Sequence, residues 1–553
     1  MARDHGARVV TAALRARVEA YVARQLPRVL TQLDRDPDSP TFGCFDRAYW
    51  HYKVHDYASA ILQQGLFTLE ALRDGSLAGG PPRAAIERWC VGAVAALARR
   101  VDRAGAVDEY YPFERSYPAA AFGLYAVARV LDGWRTAAPD LLAAVDARPL
   151  ARLARHVARR VEAEASNQQA AGLAGLAHAA RLGWLDGGAA AAVEAHARRL
   201  FAAQHAEGWF PEYGGPDCGY LSVTLDALVD YLDVTGDPRA KQAIDRAVEF
   251  LALLVGADGR LPSTVNSRNT DYVMPYGLVR TGARHPGAAW LVEALLRDVE
   301  APAHFLWATD DRYHAHYLFA SVVRCLPHLA ALAPAEPPAP AASTWLAGCR
   351  LWIYRPPDGS WTAYVAGSKG GLVRVHRADG RPALVDHGWR VYRERRVWTT
   401  NWWSAEWSVT RDESALRIRG HCQRAAFHPP TPARHAVLRV LAWVLRDRLV
   451  PLLKRVLIFR PGSADGPAFE RRVEVSAAGV RLTDRLGPFA GARAAPGPRQ
   501  NLRHVASADS FSAEEWEPTL LAAAPLTLEA ERTAEASWTP DRAASALRGT
   551  PSA

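Results

Sequence analysis

The chain has 553 residues, 49% of them hydrophobic, enough to bury two or three cores and to exclude a fibrous or tail-dominated protein. Its formal charge of +9 is carried almost wholly by arginine, because lysine occurs only at Lys53, Lys241, Lys369 and Lys454. A positive field concentrates polyanions, whether nucleic acid, an anionic surface or an acidic polymer, but the charge is spread along the chain and is discounted as a guide, so nucleic acid is not an expected partner.

The N-terminal stretch carries Arg3, Asp4, Arg8, Arg15, Arg17 and Glu19, which leaves no apolar run long enough for a signal peptide, and cytoplasmic residence is expected. Ala- and Leu-rich segments follow, with apolar residues at helical spacing such as Leu225, Leu228, Val229 and Leu232. Alternate helices are predicted to begin near Val54, Tyr117, Gln168, Gly219, Asp271 and Arg312, at intervals of about 50 residues, each sufficient for a helical hairpin. Six such hairpins close a ring, and helices of the same parity then gather their preceding loops at one end. Those loops, 43–57, 108–118, 164–169, 207–220, 266–277 and 309–317, hold the polar and aromatic residues that the helices lack. Aromatic faces stack on sugar rings while carboxamides, carboxylates and guanidiniums bond hydroxyl or acid groups, so together they suit a saccharide cleft; taken singly, an aromatic there also serves to plug the ring.

The proline-rich run APAEPPAPAAS opens a linker at 333–344, which divides a helical domain at 1–332 from a strand-rich domain at 345–553. Alternating segments such as Leu372-Val373-Arg374-Val375-His376 and Arg471-Arg472-Val473-Glu474-Val475 read as strands. A helical insertion is expected near 434–458. Its apolar run is broken by Arg439, Arg446, Asp447, Arg448 and Lys454, so it reads as a domain-packing or amphipathic surface helix, not a membrane span. Trp402, Trp403 and Trp407 either fill the second domain's core or line a sugar path, with strand alternation placing Trp403 and Trp407 on one face. Six widely spaced cysteines read as free thiols, and no spacing calls for a metal or cofactor.

Three segments carry a resemblance: SNQQAAGLAGLAHAARLGWLDG at 166–187, WFPEYGGPDCGYLSVTLDALVDY at 209–231 and GGLVRVHRADGRPALVDHGWRVY at 370–392. In these the chain resembles the heparinase II/III-like group of polysaccharide lyases. The resemblance implies an N-terminal α/α toroid of about six hairpins followed by an antiparallel β-sandwich domain. It also implies an acidic polysaccharide or oligosaccharide substrate and β-elimination beside a uronate. By analogy Asn167 and Arg268 neutralise the uronate carboxylate, Tyr220 acts as base or acid at the scissile linkage, and His376 or His314 is the second proton-transfer group. Gln168 and Gln169 stand where the family has a histidine-containing helix start. Ser368-Lys369-Gly370-Gly371 stands where its β domain usually presents a histidine.

Each residue also has a plainer role. Asn167 can cap its helix, Tyr220 can be buried behind a capping Asp217, and His376 can sit on a solvent-facing strand position. His314 and His316 point apart on a helix, which argues against a metal pair. A rival chemistry is inverting glycoside hydrolysis, with Glu212 beside Trp209 and Phe210 as acid and Asp271 as base. Trp209, Tyr213 and Tyr272 complete the expected sugar-binding set. A third reading is a non-catalytic saccharide-binding or polymer-assembly protein.

Overall fold

Strong helix formers with apolar residues on every face belong inside a helical ring, and those with one apolar stripe belong outside it. Both kinds occur in the computed structural model, which describes residues 2–77, 80–262, 267–268, 270, 272–301, 304–307, 309–335, 337–339, 341–380, 383–425, 429–454, 465–498, 525–540 and 548–549. The inner helices are Leu66–Arg73, Tyr117–Ala137, Ser166–Arg181, Cys218–Thr235, Tyr276–Gly282 and Phe319–Cys325; each packs on the next, and the last packs on the first. Every residue from Cys218 to Tyr231 is buried. The outer helices are Arg83–Ala98, Ala147–Ala158, Ala189–Ala203, Pro238–Leu254 and Pro286–Leu296. Ala147–Ala158 is typical of them, burying Leu150, Leu153, Ala154 and Val157. The sixth outer place is taken by the first helix, Ala2–Leu30, which packs beside Phe319–Cys325 and the turn Leu326–Ala331. Close helix approach is permitted where side chains vanish: a Cβ at Gly175 would lie 2.9 Å from the backbone nitrogen of Tyr125 on the neighbouring helix.

Among the described residues the second domain forms three antiparallel sheets. The first runs in order through β1 (Ser343–Leu346), β2 (Leu351–Tyr354), β3 (Trp361–Ala366), β4 (Leu372–Arg377) and β5 (Leu384–Val385). The second is built from β6 (Trp389–Arg393), β7 (Arg396–Thr399), β10 (Gln423–Ala425), β13 (Arg493–Pro496) and β14 (Leu526–Thr527), in the order β10-β7-β6-β13-β14. The third is β16-β15-β12-β11-β9-β8, with β8 at Ser408–Arg411, β9 at Ala415–His421, β11 at Ala468–Ser476, β12 at Gly479–Leu486, β15 at Arg532–Trp538 and β16 at Arg548–Gly549. The expected insertion separates β10 from β11 as helices Pro432–Leu445 and Leu449–Leu453, and the rest of its span, 455–458, lies outside the described residues.

The first sheet joins the domains by alternation. Trp352, Trp361, Val365, Val373 and Val375 face the sandwich core, whereas Leu351, Ile353, Tyr364, Ala366 and Leu372 belong to the same apolar cluster as the toroid. All six residues of β3 are therefore buried. Polar links run across the same seam: Tyr364 Oη donates to Leu254 O at 2.7 Å, Gly348 N to Glu207 Oε1 at 2.7 Å and Ala257 N to Thr362 Oγ1 at 3.1 Å. Inside the sandwich, Arg471 donates through Nε and Nη2 to Asp484 at 2.7 and 2.6 Å and pairs with Asp386, all three fully buried. The tryptophans divide differently from the strand alternation, because 400–406 is a loop: Trp403 joins the toroid cluster and Trp407 the sandwich core.

Candidate functional site

The inner helices start at one end of the ring, and the loops feeding them are tied to one another. A short antiparallel bridge joins Ala165 to Glu212, Tyr213 N donates to Glu164 O at 2.8 Å, and Ser166 Oγ donates to Pro211 O at 2.8 Å. This zipper lays Glu212 beneath the first turn of the Ser166–Arg181 helix. There its Oε1 accepts from both the backbone nitrogen and the Nδ2 of Asn167, at 2.7 and 2.8 Å. Asn167 is thus a ligand of Glu212 rather than the cap of its own helix, whose N-cap position is Ala165. Among the described residues Glu212 Oε2 has no hydrogen-bond partner. Burial pushes the Glu212 carboxyl up to about 8, against the two Asn167 bonds, with the Asp217 carboxylate adding to the rise and Arg268 opposing it.

Asp217 caps the next helix, accepting from Tyr220 N at 3.0 Å and from Thr270, and so fixes where Tyr220 stands. The guanidinium of Arg268 lies 4.2 Å from the Tyr213 ring centroid and 5.8 Å from that of Tyr220. Burial pushes the Tyr220 phenol up to about 12, and the Arg268 cation pulls against it. Tyr272 meets Tyr220 edge-on at 6.1 Å and Tyr317 at 6.2 Å, forming the aromatic floor of the cluster. Asn167, Glu212, Tyr213, Tyr220, Arg268 and Tyr272 are therefore neighbours.

Other expected site residues lie elsewhere. His376 is buried at the domain seam, its Nδ1 2.9 Å from Asp258 Oδ1 and its ring 5.4 Å from that of Tyr364. It faces the toroid, not solvent, because β4 is covered on both sides. His314 Nε2 lies 2.8 Å from Tyr21 Oη of the first helix, and burial pushes its imidazole down to about 3, so it belongs to the packing of that helix. Trp209 stacks on His205 at 4.5 Å and donates to Glu207 Oε2 at 2.9 Å, which places it beside the interdomain link. Asp271 lies outside the described residues. No cluster of metal-ligating side chains occurs among the described residues.

Several neighbours of the cluster escaped sequence reasoning. Lys454, from the insertion, reaches across the loops to Glu162 at 2.7 Å and stands 5.5 Å above the Tyr213 ring. Tyr110 and Tyr313 meet through their hydroxyls at 3.1 Å, with Arg312 5.8 and 5.9 Å from their rings. Lys369, on the turn where the family resemblance implies a histidine, is buried, and burial pushes its amine down to about 7 while Asp217 pulls it up. The loop spacing pointed to the region of these residues, but contacts between elements hundreds of residues apart leave no local sequence signal.

Neither a family model nor a curated protein matches the chain. Among solved structures, it is similar to the chondroitin AC lyase of Streptomyces coelicolor A3 in complex with chondroitin sulphate, at 13% identity and a TM-score of 0.51 over 88% of this chain and 70% of that one. Heparinase III is similar at 8% identity and a TM-score of 0.42, over 84% of this chain and 80% of that one. The fold, a helical toroid followed by antiparallel sheets, matches that of the chondroitin AC lyase.

Proposed function

We propose that the chain is a polysaccharide lyase-type enzyme, cleaving a uronate-containing polysaccharide or oligosaccharide by β-elimination. The observation that carries this reading is the convergence of Asn167, Glu212, Tyr220 and Arg268 at one end of the toroid.

Elimination needs the uronate carboxylate neutralised, the ring proton beside it removed and the leaving oxygen protonated. Glu212 suits the first task as a neutral acid. With Oε1 held by Asn167, the proton falls to the buried Oε2, and a substrate carboxylate that displaces the covering side chains would accept it. Arg268 adds a cation to the same place. Tyr220 suits the other two tasks when the ring proton and the leaving oxygen share a face: the phenolate takes the proton and delivers it to the oxygen. Arg268 lowers the cost of that phenolate, which burial otherwise raises. His376 takes no part, because Asp258 holds it at the seam.

The test is incubation with a panel of uronate polymers and oligomers, following the ultraviolet absorbance of an unsaturated uronate end. The reading requires a rise that Tyr220→Phe abolishes. Release of reducing ends without that absorbance would move the assignment to hydrolysis, and binding without turnover would move it to a saccharide-binding role.

A further inference from the structure

The insertion between β10 and β11 is turned inside out relative to an ordinary surface helix. In Pro432–Leu445 only Ala442 is buried, and Leu438 and Leu445 are half-buried beside it. At about 100° per residue these three form one narrow stripe against the protein. The opposite side carries Val437, Val440, Trp443 and Val444, with Leu441 at its margin and Leu452 on the following helix. These six are between 38% and 61% exposed. A water-facing helix would place charges there.

The charges lie on its flanks instead. Within 432–454 the cations are Arg434, Arg439, Arg446, Arg448 and Lys454, and the single acid is Asp447. Asp447 turns inward to Arg160 at 3.4 Å, and Lys454 reaches Glu162 in the toroid. Arg439 pairs with Asp56 at 2.7 Å, which sets the helix beside the loop carrying Tyr52 and Val54, 62% and 69% exposed. Arg434, Arg446 and Arg448 are exposed and form no ion pair among the described residues.

We infer that this helix docks the protein on an anionic membrane surface, lying in the interface with Val440, Trp443 and Val444 toward the acyl chains and its arginines among acidic headgroups. A second copy is a poorer occupant, because two such faces would bring the rims of Arg434, Arg446 and Arg448 together while the exposed acid beside them, Asp56, is already taken by Arg439. Anionic headgroups answer both features: apolar burial rewards the outer stripe, the arginines gain counter-charges, and tryptophan favours the headgroup level. No helix among the described residues is long and apolar enough to cross a membrane, so the attachment lies on the surface. Because Lys454 ties the insertion to Glu162 beside Tyr213, docking would hold the mouth of the toroid close to the membrane.

The test is sedimentation of the full chain with vesicles of phosphatidylcholine alone and of phosphatidylcholine with phosphatidylglycerol in equal parts, without saccharide. Binding to the mixed vesicles and little to the neutral ones is expected. Val440→Asp with Val444→Asp should lower it at least tenfold at unchanged circular dichroism and thermal unfolding, since both sites are exposed. Arg446→Ala with Arg448→Ala should lower it about fivefold per arginine. Tyr220→Phe should bind like wild type, which keeps this inference separate from the chemistry proposed above. Failure to sediment with mixed vesicles would overturn it, as would undiminished binding of the valine variant. So would a dimer in light scattering that the valine variant abolishes, which would assign the face to a second copy.

Discussion

Two opposed protonation states meet at one site. Elimination by Tyr220 needs the phenolate, while neutralisation by Glu212 needs the protonated acid, and burial raises both groups, to about 12 and about 8. The rate should therefore climb about tenfold per pH unit below pH 8, as the phenolate fraction grows with Glu212 still protonated, and flatten above it, where loss of the Glu212 proton offsets the gain. Glu212→Gln keeps a neutral donor at every pH, so its profile should continue to rise through that plateau. A pH–rate series on the two proteins checks this. Glu114 gives a matching expectation for stability. Burial pushes its carboxyl up to about 8, with Glu109 adding to the rise, although it accepts from Glu109 N at 2.7 Å. A carboxyl raised on folding contributes most below its unfolded value near 4.5, and that contribution is lost as pH climbs toward 8. Denaturant unfolding of Glu114→Gln at pH 5 and pH 8.5 should accordingly show a smaller fall in stability than wild type.

At the scale of elements, the buried ion cluster and the interdomain seam give two further expectations. Arg471 links β11 to Asp484 on β12 and to Asp386 after β5, so Arg471→Met strands two buried carboxylates and should cost about 3–5 kcal/mol in denaturant unfolding. A Cβ at Gly215 would lie 2.1 Å from Cζ2 of Trp403, so Gly215→Ala should destabilise by about 1–3 kcal/mol, with partial relief in combination with Trp403→Phe.

The inner helices were legible in the sequence because their period and apolar spacing are local properties. The expected starts near Tyr117, Gln168 and Gly219 fall within two residues of the inner-helix starts at Tyr117, Ser166 and Cys218; that near Arg312 meets the short helix Asp311–Tyr313, which runs through His314–Leu318 into Phe319–Cys325, that near Val54 lies well before Leu66–Arg73, and that near Asp271 lies outside the described residues. Strand faces were less legible. Alternation suggested a solvent position for His376, but the toroid covers the outer face of the first sheet, and a covered sheet loses its polar side. Tyr220 and Asn167 were singled out by short motifs, and the structure places them near one another. The nearness of Lys454 and Lys369 to the loops was not legible, because the meeting of two domains is what places them there.

On the scale of the whole molecule, the toroid gathers Asn167, Glu212, Tyr220 and Arg268 at one end, and the strand-rich domain sends its insertion to the same loops. Lys454 to Glu162, Arg439 to Asp56 and Asp447 to Arg160 fasten it there. The insertion thus stands beside the site, with Lys454 5.5 Å from the Tyr213 ring, and on the proposed function a polymer would meet it on the way to Tyr220. The most direct test of the central claim is the ultraviolet assay on uronate polysaccharides with wild type and Tyr220→Phe side by side. Elimination at this cluster predicts absorbance that grows with time in the wild type and is lost in the variant; equal absorbance from both proteins, or cleavage with no absorbance from either, would contradict it.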